Sequence, residues 1–160
     1  MIDVPGRTEH SVVVDAPQDL LWDMTNDVAS WPELFTEHAS VEVLEQEGNT
    51  VRFRVTKHPD EQGRVWSWVS ERVMDRAAGE VRAHRVETGP FEYMRIHWSY
   101  EETDEGIRMT WRHDFALKPD APVDDEQMTA RLNRNIPSEM ELIREKVEAV
   151  ARARAEETLA

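Results

Sequence analysis

The spacing of apolar residues changes period twice along the chain, and each change marks a change of element. "EHSVVVDAP" reads as a first strand ended by Pro17, and "PQDLLWDMTNDVASWPELF" as two short helices broken at the Ser30-Trp31-Pro32 step. From Ala39 the apolar residues alternate: Val41 and Val43, then, after a Gly48-Asn49 turn, Val51, Phe53 and Val55, with Arg52 and Arg54 on the opposite face. "HPDEQGR", "AAGE", "TGP" and "TDEGI" read as turns that separate further strands in "VWSWVSERVM", "VRAHRVE", "EYMRIHWSY" and "IRMTWRHDFAL". The last alternates most cleanly, with Ile107, Met109, Trp111, His113 and Phe115 on one face and Arg108, Thr110, Arg112 and Asp114 on the other, so it must be half buried. After "KPDAPVDDEQ" the period becomes helical, and Met128, Leu132, Ile136, Met140, Ile143, Val147 and Val150 form an apolar stripe. Pro137 lies inside that stripe; it removes one helical hydrogen bond and predicts a kink or short break near Asn135.

This order predicts an α+β fold: a curved antiparallel sheet of about seven strands around a long C-terminal helix, with two short helices after the first strand. A sheet that grips a helix leaves an interior cavity. The stretch "RVWSWVSER" bears on that cavity, because alternation puts Trp66, Trp68, Ser70 and Arg72 on one strand face. Aromatic residues mixed with a few polar groups suit a pocket wall. The competing reading makes the tryptophans ordinary core and places Arg72 at the strand end, paired with a carboxylate, since arginine is rarely buried without a partner.

Composition sets the surroundings. The 160 residues make one domain, taken as residues 1–150, with 151–160 as a loose tail. There are 33 acidic residues against 19 Lys and Arg, a formal charge of −14, which argues against a nucleic-acid or anionic-membrane surface and favours a soluble monomer or weak dimer. The chain has no cysteine, which excludes disulfides, thiolate nucleophiles and Cys-ligated metals and suits the cytoplasm. The N-terminal residues have no apolar run of a signal peptide, and no stretch reaches the ~18 apolar residues of a transmembrane helix.

Four segments, in this order, carry a family resemblance: "SVVVDAPQDLLWDMTNDVASWPELFTEHASVEVL", "VWSWVSERV", "RVETGPFEYM" and "FALKPDAPVDD". They resemble the monodomain aromatase/cyclases of bacterial type II polyketide synthases, the tetracenomycin and spore-pigment group, from Glu9 to Val150. The resemblance implies the helix-grip (START/Bet v-like) fold. It also implies a pocket that receives a poly-β-ketone on an acyl carrier protein and promotes ring closure, between carbons 9 and 14, then dehydration and aromatisation. The implied partners are that carrier-bound linear polyketide and the minimal polyketide synthase components; no cofactor is implied. Position by position, Arg72 falls on the pocket arginine that polarises a ketone or enolate oxygen, with Trp68 and Ser70 beside it. Trp31, Phe35, Arg85, Phe91, Met94 and Trp98 match lining positions, and Trp111 matches one more weakly. His38 stands where relatives carry a tyrosine that handles a proton, and Pro137 departs from the pattern of the family helix.

An intramolecular aldol needs an enolate and a polarised carbonyl brought together. β-Diketone methylenes are already acidic, so the larger tasks are choosing which carbons meet and keeping water away. Arginine suits the oxyanion because it keeps its charge, and a neutral imidazole can move a proton near pH 7. On these grounds Arg72 and His38 are the catalytic candidates. His113, between Trp111 and Phe115, reads as a satisfied core histidine, and the six histidines show no metal-ligand spacing. An acidic chain should repel an acidic carrier protein unless a basic patch offsets it; Arg131, Arg134 and Arg144 on the last helix are the candidates. The main alternative is a START-type carrier or chaperone that holds a hydrophobic polyketide or lipid without catalytic residues. A ligand-sensing regulator has no second domain or DNA-binding motif to support it.

Overall fold

Alternation becomes burial in the computed structural model, which describes residues 6–159. In chain order the elements are β1 (Gly6–Val14), α1 (Gln18–Asn26), a 3-10 turn (Val28–Ser30), α2 (Trp31–Leu34), β2 (His38–Glu47), β3 (Thr50–Lys57), β4 (Ser67–Asp75), β5 (Glu80–Arg85), β6 (Phe91–Thr103), β7 (Gly106–Leu117) and α3 (Asp125–Leu159). The seven strands form one antiparallel sheet in the order β1-β7-β6-β5-β4-β3-β2, so the meander β2 to β7 is completed by β1 returning to pair with β7. This is the helix-grip architecture: a sheet with one buried face, curved round the long last helix.

Each strand buries the face its sequence marks. Val51, Phe53 and Val55 of β3 are buried while Arg52 and Arg54 turn outward; Met109, Trp111 and Phe115 of β7 are buried while Arg108 and Arg112 are exposed. On β2 the alternation predicted for Val41 and Val43 is weaker: Val41 is half-buried and Val43 is exposed. β2 is an edge strand, and its Glu42, Glu45 and Glu47 discourage pairing with another sheet. Met128, Ile136, Met140, Ile143 and Val147 of α3 are buried, and the helix packs mainly on β1.

Three details depart from the sequence reading. The helices after β1 separate at Asp27, before the expected Ser30–Pro32 step; α2 starts at Trp31, with Pro32 in its first turn, where the missing N–H has no helical partner to lose. α3 runs without interruption through Pro137, so no break occurs there, although the Asn133 carbonyl loses its usual i+4 donor. The same helix continues through 151–159, the segment read as a loose tail.

One cross-strand row runs through Arg72. Arg72 on β4 stands opposite Ala83 on β5, Ala83 opposite Ile96 on β6, Ile96 opposite His113 on β7, and His113 opposite Thr8 on β1. The β4–β5 turn that fixes one end of this register needs Gly79. Its φ is 67°, and a Cβ there would lie 2.9 Å from the Tyr100 carbonyl oxygen, so only glycine lets the turn sit against β6.

Candidate functional site

Arg72 projects from the inner face of β4 and is only 2% exposed, yet among the described residues no carboxylate pairs with it. Its Nε and Nη2 donate to Asn26 Oδ1 at 3.1 and 2.7 Å, and its guanidinium lies 4.1 Å from the centre of the Trp98 ring and 5.2 Å from that of Trp31. The competing reading of a strand-end arginine held by an acid is not met: the partner is a neutral amide reached from the end of α1. Burial lowers the Arg72 pKa to about 10, with the nearby Tyr100 opposing the shift, and the group stays charged at neutral pH.

A hydrogen-bonded layer fixes that amide. Asn26 Nδ2 donates to the Trp22 carbonyl at 3.0 Å and reaches Tyr100 Oη at 3.3 Å, which leaves Oδ1 for the arginine. Thr25 Oγ1 lies 2.7 Å from both Tyr100 Oη and the Leu21 carbonyl, and the Trp31 indole N–H donates to the Thr25 carbonyl at 3.1 Å. The end of α1 thus holds one cation and one ring of the site together. Asn26, Thr25 and Tyr100 escaped the sequence reading, although Tyr100 shares the alternation of Trp98 and could have been assigned to the inner face.

From Arg72 an aromatic cluster crosses the interior. Trp98 stacks on Trp111 with centres 4.3 Å apart and planes within 10°, and Phe35 lies 5.9 Å from Trp111. The His38 ring, at the start of β2, is 4.6 Å from Phe35, 5.8 Å from Trp31 and 6.2 Å from Trp68. Burial pushes its pKa down to about 4, with Lys57 adding to the shift, so the ring is neutral at pH 7. Beyond Trp68 lies a second cation. Arg85 sits 4.1 Å from the Trp68 ring centre and 4.6 Å from that of Phe91, has no hydrogen bond or ion pair among the described residues, and is lowered by burial to about 9.

Ser70 is buried in register between Phe53 and Arg85, and Met94 belongs to a neighbouring apolar cluster with Phe91, Phe115 and Met128. Trp66 does not join them. It precedes β4, its indole N–H donates to Asp60 at 3.0 Å, and Arg64 lies over its ring. His113 is on the inner face as alternation requires, but its Nδ1 has no hydrogen-bond partner among the described residues, so it is not a satisfied core histidine. Burial, with Arg85 adding to the effect, lowers it too to about 4.

His113 Nδ1 belongs to a wider pattern. Thr8 Oγ1, His38 Nδ1, Trp98 Nε1 and Trp111 Nε1 are also buried without partners among the described residues. Buried polar groups are normally paired, and leaving one unpaired costs about 1–3 kcal/mol. None of these atoms touches space large enough for water, and aromatic rings around them pack on one another. A ligand must separate those rings to enter.

The loop that carries Phe35 and His38 is tied to α3. Glu139, a buried acid within the apolar stripe, accepts from the Thr36 amide at 3.3 Å and from the Thr36 hydroxyl, while Lys146 donates to the Glu33 and Leu34 carbonyls at 2.9 and 3.0 Å. Position 139 is three residues after Ile136 and four before Ile143, a spacing that marked it as inward. On the outer side of α3, Arg144 is occupied by Glu141 and Glu148, whereas Arg131 and Arg134 are exposed and have no ion pair among the described residues. Among the described residues no cluster of three or more His, Cys, Asp or Glu could hold a metal, and no helix is long and apolar enough to cross a membrane.

A sheet gripping a long helix over a buried interior of aromatic rings and hydrogen-bond donors defines a helix-grip protein. Residues 14–140 match the family described as polyketide cyclase / dehydrase and lipid transport, and the chain belongs to that family. It is 63% identical over 146 residues to a Streptomyces cyaneus protein named "Putative polyketide cyclase", covering 91% of this chain and 96% of the relative. It is 29% identical over 136 residues to the granaticin polyketide synthase bifunctional cyclase/dehydratase of Streptomyces violaceoruber, covering 84% of this chain but 41% of that protein. The fold matches the crystal structure of the Zhui aromatase/cyclase from Streptomyces sp. R1128 with a TM-score of 0.79 at 23% identity, covering 89% of this chain and 93% of that one.

Proposed function

We propose that the interior receives a carrier-bound poly-β-ketone, folds it, and directs aldol closure of the first ring between carbons 9 and 14, followed by dehydration and aromatisation. The observation that carries this reading is the character of the buried polar groups. Two arginines without carboxylate partners and two unpaired indole N–H groups offer donors to a ligand rich in carbonyl oxygens. A fatty chain with one polar head would leave most of them unmet, which argues against a simple lipid carrier.

In this reading the steps run as follows. A methylene between two ketones loses a proton to the neutral ring of His38, and the C–H electron pair becomes an enolate. The enolate carbon attacks a second carbonyl whose oxygen lies against the Arg72 guanidinium. The new C–C bond leaves an alkoxide there, which the cation stabilises until the proton on His38 is returned. Loss of water and enolisation then give the aromatic ring, with no change in overall redox state. Arg72 is held by Asn26 before any charge develops, which favours the transition state over the ground state. The stacked tryptophans exclude water and limit the folds the chain can take.

Carrier docking at the exposed, unpaired Arg131 and Arg134 would offset the −14 net charge locally; Arg144, already paired, drops out of that patch. The test is a reconstituted minimal polyketide synthase assayed with and without this chain. One dominant cyclised product formed only in its presence supports the proposal, and an unchanged mixture of spontaneous products refutes it.

A further inference from the structure

Arg72 must stay oriented and unneutralised to serve an oxyanion, and the amide of Asn26 that holds it has its own direction set by two hydroxyl groups behind it. The Leu21 and Trp22 carbonyls can only accept, and this decides where each proton goes. Thr25 donates its one hydroxyl proton to the Leu21 carbonyl at 2.7 Å, so at its 2.7 Å contact with Tyr100 the tyrosine hydroxyl donates to Thr25 Oγ1. The Tyr100 oxygen is then left as an acceptor. Asn26 Nδ2 donates to it at 3.3 Å and to the Trp22 carbonyl at 3.0 Å, so both N–H bonds of the amide are claimed on one side and Oδ1 is turned towards Arg72. Thr25 and Tyr100 are buried, so solvent does not compete for their bonds.

The same wiring excludes an acid. An ionised carboxylate at position 26 has no proton to give and would set an oxygen against the Trp22 carbonyl and the Tyr100 oxygen. The acidic residues of this segment are engaged elsewhere: Asp19 and Asp23 hold Arg76, and Asp27 accepts from the Ser30 hydroxyl at 2.6 Å. Asn26 also ends α1, and a helix C-terminus carries only a fraction of a negative charge, so it steadies a cation without cancelling it.

We propose that Thr25, Asn26 and Tyr100 are positioning residues for the Arg72 cation: their one-way chain of hydrogen bonds selects a neutral amide at position 26, in one orientation, and so keeps the guanidinium charge available to an oxyanion. Each of the three acts through Arg72. The identity of that oxyanion rests on the polyketide reading above, whereas the selection of an amide is a property of the protein alone.

The test uses the full chain with Asn26→Asp, Tyr100→Phe and Arg72→Leu, each first checked for a native circular dichroism spectrum and melting transition. The probe is a nitronaphthol, a planar phenol whose ionised form absorbs at longer wavelength, titrated with pH in saturating protein. Wild type is expected to lower its ionisation midpoint by about one pH unit, a tenfold preference for the anion, and Arg72→Leu to abolish the shift. Asn26→Asp supplies the charged partner that a merely structural role would accept, yet it is expected to cancel the shift and to lower directed cyclisation in the reconstituted synthase by about 10². Tyr100→Phe keeps the ring and frees the amide to turn; it is expected to lose about half of the shift and about three- to tenfold in directed product. Wild-type ionisation of the probe in folded Asn26→Asp or Tyr100→Phe would overturn the positioning role, and so would a wild type that does not shift the probe. Should Asn26→Asp fail to fold, Tyr100→Phe decides alone. A wild type that shifts the probe but leaves the synthase's mixture of spontaneous products unchanged would overturn the polyketide reading, while the probe still decides the role of Asn26.

Discussion

Arginines on the two faces of one sheet have opposite fates. On the outer face of β3, Arg52 pairs with Glu71 and Arg54 with Glu87, both at 2.7 Å, and these partners raise the arginine pKa values. On the inner face of β4 and β5, Arg72 and Arg85 have no carboxylate partner among the described residues, and burial lowers both pKa values. With 33 acidic residues in the chain, carboxylates are plentiful, so their absence from the two most costly places to leave a cation is a property of the design. An arginine tied to a carboxylate has committed its donors. One held by an amide and two ring faces keeps charge and hydrogen-bonding capacity for a ligand's oxygen.

The comparison can be broken most forcefully at Arg72. Replacing it with Leu is expected to lower the rate of directed cyclisation by about 10²–10³, the effect of losing one preorganised oxyanion donor, and product profiling of the reconstituted synthase reads it. The melting temperature should fall little, because relief of a buried charge offsets the orphaned Asn26 oxygen.

The neutral histidines sharpen the contrast from another direction. His38 and His113 both have pKa values depressed from 6.5 to about 4 in the folded protein. Between those values the unfolded chain takes up protons that the folded chain does not, so stability falls as the pH drops through that window. Each histidine contributes on the order of 2 kcal/mol to that loss. Urea melts at pH 7 and pH 4.5 should show a smaller decline for His113→Gln than for the wild type. A smaller effect is expected at the tie between the short helices and α3. Thr36→Val deprives the buried Glu139 of a donor and should cost about 1–2 kcal/mol while broadening the product mixture, as the loop bearing Phe35 and His38 loosens. Least of all, Arg54→Leu should leave the melting temperature nearly unchanged and the product profile untouched.

What the sequence discloses depends on how local the governing interaction is. The faces of β3 and β7 and the stripe on α3 were legible because alternation and helical period are local and match the burial. The face bearing Trp68, Ser70 and Arg72 was legible for the same reason, and the same rule misplaced Trp66, since the alternation of letters runs on past the point where the strand begins and Asp60 captures the indole. The amide that holds Arg72 lies 46 residues away, beyond the reach of any periodicity, so the competing reading could supply only an acid. His113 was placed on the correct face but given a partner it lacks, because satisfaction of a buried nitrogen is a tertiary fact. The sheet curved round a long last helix followed from the order of elements, and strand order and burial agree with it, whereas the helix-grip name and the choice of Arg72 and His38 came from family resemblance, which carries residue roles that no periodicity encodes.

The most direct test of the account measures product profile and melting temperature on one preparation of Arg72→Leu beside the wild type. The account predicts a folded protein with nearly unchanged melting temperature that yields only the mixture of spontaneous products. A variant that still directs a single cyclised product would contradict it, because the buried, carboxylate-free cation would then have no part in the reaction.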